Sequence, residues 1–218
     1  SGGNLIEYDF TKKLSKHKKQ LKILHQAIPS LLFQRKIFVL HGSAFEYKGK
    51  AIVIMGTSGS GKSESLNIIQ NENNILSDDI VAIEFSQGKT YSLPGLSAIC
   101  VKNNQSSRPL KDKRQRSMEF IPINSMLKSK LEVFDLFFLN WGEINSIFEI
   151  DHTASLKQLI FNSFRPIPTG DCSKSEKFYL SSLTKILAST EQYIFKRKKG
   201  NIDQSVKKLY EFLNTKYD

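Results

Sequence analysis

The chain has little that would staple it or anchor it. Only Cys100 and Cys172 are cysteines among 218 residues, too few for a disulfide framework or a thiolate metal site, so each is expected to be a small core or surface residue. No apolar run approaches the roughly 18 residues of a membrane span, and no signal-type apolar segment follows the first residues. A cytoplasmic location is the expectation. Ser1-Gly2-Gly3 reads as a scar of tag removal and is left out of the fold. Tryptophan occurs once, and no internal repeat is present. Acid is in deficit, with 21 acidic against 32 basic residues and a formal charge of +11. That balance favours an anionic partner, whether nucleotide, acidic peptide, nucleic acid or anionic lipid, without choosing among them.

What is present is ordinary for a globular protein: 39% hydrophobic and 24% charged residues. The length suits one domain over 1–218 with a substantial core, its part from 151 to 218 mostly helical. The basic surplus is uneven. Lys102, Arg108, Lys111, Lys113, Arg114, Arg116, Lys128 and Lys130 face only Asp112 and Glu119. Within this stretch, 103–116 has no periodicity and is long for a compact domain, so a mobile basic loop beside the site is expected.

The apolar run Ile52-Val53-Ile54-Met55 feeds into Gly56-Thr57-Ser58-Gly59-Ser60-Gly61-Lys62-Ser63, a G-x-x-x-x-G-K-S pattern. Glycines at this spacing let the chain wrap so that backbone N–H groups point inward, and a helix starting near Lys62 adds its positive end. Lys62 is placed to reach the β- and γ-phosphates of a nucleotide, and the Ser63 hydroxyl to complete the shell of Mg²⁺. A buried-strand pattern precedes the motif and a helical one, Ser63 to Ile69, follows it, which is the context it requires.

Elsewhere, Leu5 to Phe10 alternates as a strand, Lys12 to Lys19 is basic, and Leu21 to Leu32 repeats as an amphipathic helix bent or restarted at Pro29. Ile37 to Leu40 and Ala51 to Met55 read as strands with a tight Lys48-Gly49 turn between them, so the sheet is mixed rather than wholly parallel. Ile75 to Ile83 reads as a β-like run holding Asp78 and Asp79, whose charges need a positive neighbour. Strands follow over Thr90 to Leu93, Ala98 to Val101, Met118 to Ile123 and Leu131 to Leu139, the last nearly all apolar and so central. Helices are expected over Leu156 to Phe164, Phe178 to Leu187 and Asn201 to Leu213, with a strand at Tyr193 to Phe195.

Leu40-His41-Gly42-Ser43, then Gly56 to Glu64, then Leu76-Ser77-Asp78-Asp79, in that order and spacing, resemble the catalytic core of the HPr kinase/phosphorylase family and its smaller HprK-like relatives. The Gly-Lys-Ser-Glu tetrad and an acidic pair about 16 residues after the lysine are the specific parts. The resemblance implies an α/β fold of the HPr kinase / PEP carboxykinase type, a P-loop kinase core whose mixed sheet is flanked by helices. It is similar to stand-alone kinases that phosphorylate a serine of a modified peptide, such as a lasso peptide precursor. By resemblance Asp78 takes the acceptor hydroxyl's proton, Asp79 helps Ser63 hold Mg²⁺, and His41 joins the catalytic site; Glu64 is either a helix-end charge or a group near the metal. Arg108, Arg114, Arg116 and Arg165 compete as the arginine that neutralises transition-state charge.

ATP and Mg²⁺ are thus the expected cofactors, and a Ser- or Thr-bearing peptide or protein, acidic in character, the expected partner. Two other readings stay open: a kinase for a small hydroxylated metabolite, and a nucleotide-gated module binding nucleic acid or anionic lipid. Against the last, the basic residues lack the interleaved aromatics of a stacking surface. A homo-oligomer is left open.

Overall fold

The computed structural model describes residues 22–95, 98–102, 118–165 and 172–218, with Glu7 and Lys19 besides. The expected strand over 5–10, most of the basic stretch from 12 to 19 and the loop 103–116, including Arg108, Arg114 and Arg116, lie outside the described residues.

A π-helical turn, Ile23–Ala27, runs into helix α1 (Ile28–Gln34). Pro29 explains the change of pitch: it has no N–H to give residue 25, so the turn widens and Ile28 N–H reaches back to Ile23. Strands β1 (Phe38–Leu40), β2 (Gly42–Tyr47) and β3 (Lys50–Gly56) follow, β2 and β3 joined by a turn in which Lys48 and Gly49 have φ of 47° and 77°. Both are left-handed, as a two-residue hairpin of matching twist requires. After the glycine-rich loop comes α2 (Lys62–Ile69), then β4 (Ile75–Ser77), β5 (Val81–Ser86), β6 (Lys89–Ser92), β7 (Ala98–Lys102) and β8 (Met118–Pro122). The chain closes with β9 (Leu131–Gly142), β10 (Ser146–Glu149), α3 (His152–Asn162), α4 (Cys172–Ser189), β11 (Glu191–Lys198) and α5 (Ile202–Tyr217).

The sheet is mixed, as the hairpin before the loop implied. β3 pairs parallel with β9 and antiparallel with β2, β2 pairs with β4, and β9 pairs parallel with β11. At the end where β3 enters the loop, the order is therefore β4, β2, β3, β9, β11. The near-continuous apolar runs of β3 and β9 follow from burial on both faces. Val53, Met55, Leu136 and Phe138 share one core with Leu159, Leu183 and Ile186, while Ile52, Ile54, Phe137 and Leu139 share the other with Leu66, Ile69, Val206 and Leu209. Each strand alternates between helix layers with period two.

One expected strand is divided. Instead of running through from 75 to 83, the chain bends at Ser77-Asp78-Asp79, with Ile80 N–H bonded to Asp78 C=O at 2.8 Å. Asp79 has φ 70°, a left-handed conformation that aspartate tolerates better than most residues. The two carboxylates thus stand on a bend rather than inside the sheet. β10 went unforeseen because Ser146–Glu149 is short and half exposed.

Candidate functional site

Register brings the motifs together. Gly42 of β2 lies opposite Met55 of β3, and Ala44 of β2 opposite Ser77 of β4, so the Asp78-Asp79 bend and the loop after β3 emerge at one end of adjacent strands. Ser43, on the strand between them, donates from Oγ to Asp78 Oδ1 at 2.6 Å. Asp78 is only 6% exposed.

Asp79 meets two imidazoles. His41 Nδ1 lies 3.2 Å from its Oδ1, and His25 Nε2 lies 3.2 Å from its Oδ2. His41 is held in place by its backbone, which donates to Asn162 C=O at 2.6 Å where α3 ends against β1. Burial pushes the Asp79 carboxyl up, but the His41 hydrogen bond and the charges of His25, His41 and Lys62 outweigh it and leave its pKa below the usual value. The anion is the favoured form.

The loop folds as its glycines demand. A Cβ on residue 56 would meet Ser60 Oγ at 2.8 Å and Leu139 Cβ at 3.1 Å. Gly61 precedes α2 in a left-handed conformation, φ 84°, with no side chain capping the helix. Lys62 is buried, its Nζ donating to Gly56 C=O at 2.7 Å and Thr57 C=O at 3.3 Å, so the side chain lies back along the loop. Thr57, Ser58 and Gly59 are exposed at the tip, Ser60 and Gly61 buried, Ser63 and Glu64 half-buried on the first turn. The buried Ser60 hydroxyl has no hydrogen-bond partner among the described residues. Uncapped helix amides, an orphan hydroxyl and a buried ammonium form a cradle that fits a polyphosphate.

Arg197 is the residue the sequence did not flag. It stands on β11, is 1% exposed, and donates from Nη1 to Ser65 Oγ at 2.8 Å, while Ser65 Oγ donates to Gly61 C=O at 2.8 Å. Its Nε and Nη2 have no partner among the described residues. Burial pulls its pKa down to about 10, against the opposing charge of Glu64. No sequence signal marks it, because Lys196-Arg197-Lys198-Lys199 reads as a solvated basic run. His25 was equally hidden: it comes from the π-helical turn before Pro29, far from any motif.

Arg165, the candidate arginine within the described residues, rests its Nε on the Tyr179 hydroxyl at 3.2 Å and its guanidinium over that ring at 5.2 Å.

No family model matches the chain, and no curated protein matches its sequence. Solved structures that match in fold include the Hpr(Ser) kinase/phosphatase from Coxiella burnetii, 10% identical, with a TM-score of 0.43, the match covering 82% of this chain and 97% of that one. Among the described residues no helix is long and apolar enough to cross a membrane.

Proposed function

We propose that the chain is a kinase transferring the γ-phosphoryl group of ATP to a serine or threonine hydroxyl of a peptide or protein. The observation that carries this reading is the juxtaposition of the Asp78-Asp79 bend with the Gly56–Ser63 loop, close enough for the Lys62 charge to bear on the Asp79 carboxyl. Phosphoryl transfer asks a protein mainly to align donor and acceptor and to stabilise charge on the phosphoryl oxygens.

The loop amides and Lys62 bind the β- and γ-phosphates, Lys62 exchanging its two carbonyl partners for phosphate oxygens. The acceptor hydroxyl oxygen attacks the γ-phosphorus, the bond from that phosphorus to the β,γ-bridging oxygen breaks, and ADP leaves. Asp78, oriented by Ser43, takes the hydroxyl proton. Asp79, kept anionic, and the Ser63 hydroxyl would hold Mg²⁺, an ion that takes few protein ligands and keeps several waters. When bound, Mg²⁺ neutralises phosphate charge. His25 and His41 fix the Asp79 carboxylate, and Arg197 adds a buried positive charge beneath the loop. Arg108, Arg114, Arg116 and Arg165 remain the candidates for a further charge on the phosphoryl group.

The test is incubation with labelled ATP and Mg²⁺ beside serine-bearing acidic peptides and a panel of hydroxylated metabolites. Phosphoryl label on peptide serine or threonine supports the reading. Label on a metabolite alone moves the acceptor class, and ATP bound with no transfer to any hydroxyl overturns it.

A further inference from the structure

We propose that Trp141 is the platform on which the base of the bound nucleotide stacks, and that the open cavity beside it is a purine subsite. The inference deepens the reading of Gly56–Ser63 as a triphosphate cradle and rests on it. β9 outruns its neighbour: Gly56, the last residue of β3, lies opposite Leu139, and Trp141 stands two residues further on. Trp141 therefore projects past the end of β3 on the loop side, on the same strand face as Leu139, whose core partners include Leu66 and Ile69 of α2. Across the parallel pair it lies opposite Arg197.

One guanidinium joins the indole to the loop. Arg197 Cζ is 5.1 Å from the Trp141 ring centre, and the same group comes within 2.8 to 3.6 Å of where a Cβ on residue 61 would be. Ring and loop thus both lie against one side chain, near enough for a single nucleotide to reach both. Direction agrees as well. The Asp78-Asp79 bend lies on the β2 and β4 side of the loop, and Trp141 on the β9 and β11 side. A triphosphate whose γ end faces the carboxylates sends its base toward the indole.

The surface there suits such a ligand. Trp141 keeps 40% of its surface exposed, beside a cavity of about 540 Å³ lined by Trp141, Gly142, Glu143, Lys198 and Lys199. Lys199 Nζ sits 5.8 Å from the ring, so the stacking surface carries the cationic rim an anionic nucleotide needs. A single-stranded nucleic acid would want successive aromatic faces, whereas this cavity offers one indole and takes one base.

Trp141 is the sole tryptophan, so the intrinsic fluorescence of the full chain reports the contact without a label. ATP and inorganic tripolyphosphate, each with Mg²⁺, are titrated while calorimetry measures binding and emission measures the indole. Both should bind, with ATP quenching the emission and tripolyphosphate leaving it unchanged. Trp141→Ala should weaken ATP by about tenfold or more, the usual loss for one stacked base, and spare tripolyphosphate, with Trp141→Phe recovering most of the affinity. Loss of tripolyphosphate binding in Trp141→Ala would mean a damaged fold, and the wild-type emission then decides. If both ligands alter emission equally, or neither does although both bind, the base subsite is overturned while the phosphate cradle stands. If neither binds, the cradle reading falls and takes the subsite with it. An RNA or acidic peptide that quenches where ATP is silent assigns the indole to that ligand and overturns the proposal.

Discussion

The guanidinium of Arg197 occupies the space that a side chain on residue 61 would need: a Cβ there would stand 2.8 Å from Nη2. Gly61→Ala must also hold φ near 84°, which costs an L-residue about 1–2 kcal/mol before any displacement of Arg197. We expect a lower melting temperature together with loss of nucleotide binding, measured by thermal unfolding and calorimetry. Unchanged values for both would mean that the contact is relaxed in solution.

Arg197 itself should separate stability from function. Removing a buried charge with orphan donors in favour of an apolar chain of similar volume is often neutral or stabilising. Arg197→Met is therefore expected to keep or raise the melting temperature while weakening ATP several-fold, because the positive charge beneath the cradle is gone. A variant that loses stability and keeps affinity would show that Arg197 serves only packing.

Lys62 and Asp78 should divide binding from chemistry. Lys62→Ala should abolish both nucleotide binding and transfer. Asp78→Asn should keep ATP bound, since the amide can still accept from Ser43, yet slow transfer by about 10²–10⁴-fold, the range of a general base. Calorimetry and single-turnover rates on the same preparations check this, and normal turnover by Asp78→Asn would remove the assigned role.

Asp79 should mark the acid limb of stability. Its folded pKa lies below the unfolded value of about 3.9, so the stabilisation is fully present above that pH and is lost as pH falls through the folded value. Asp79→Asn is expected to be less stable than wild type above pH ~4, with the gap closing under stronger acid. Urea midpoints from pH 6 downward test this; a gap constant across the range contradicts it.

At the far end of β9, fully buried Asp135 accepts from Lys216 and from Tyr217 of α5. Burial raises its pKa despite both partners. The ionised form therefore weighs against the fold at neutral pH, and that weight lifts as pH falls below the folded value. Lys216→Met leaves the carboxylate short of its counter-charge, a loss of about 3–5 kcal/mol near pH 7. The loss should shrink in mild acid, where Asp135 takes a proton. Denaturant melts at the two pH values decide.

Local signals carried the cradle. The strand, the glycine spacing and the helix after it are all contiguous in sequence, and the acidic pair follows within a short stretch. Even the mixed sheet was legible, because Lys48-Gly49 can only be a tight turn between antiparallel strands. The parallel pairing of β9 with β11 was not, since parallel partners are joined by long crossovers and carry no local mark. That pairing sets Trp141 against Arg197, and it is why a basic run that reads as solvated holds a buried guanidinium. His25 depended on a π-helical turn whose pitch no apolar period records. The bend at Asp78 stayed hidden inside an apolar stretch because the residue that turns it, Asp79, is not glycine.

The central claim concerns orientation: a triphosphate lies in the Gly56–Ser63 loop with its γ end toward Asp78. A crystal structure with a non-hydrolysable ATP analogue and Mg²⁺ tests it most directly. The expected result is a γ-phosphate facing Asp78 across from Lys62, with the ion held by Ser63 and Asp79. A triphosphate bound outside the loop, or one whose γ end turns away from both carboxylates, would contradict it.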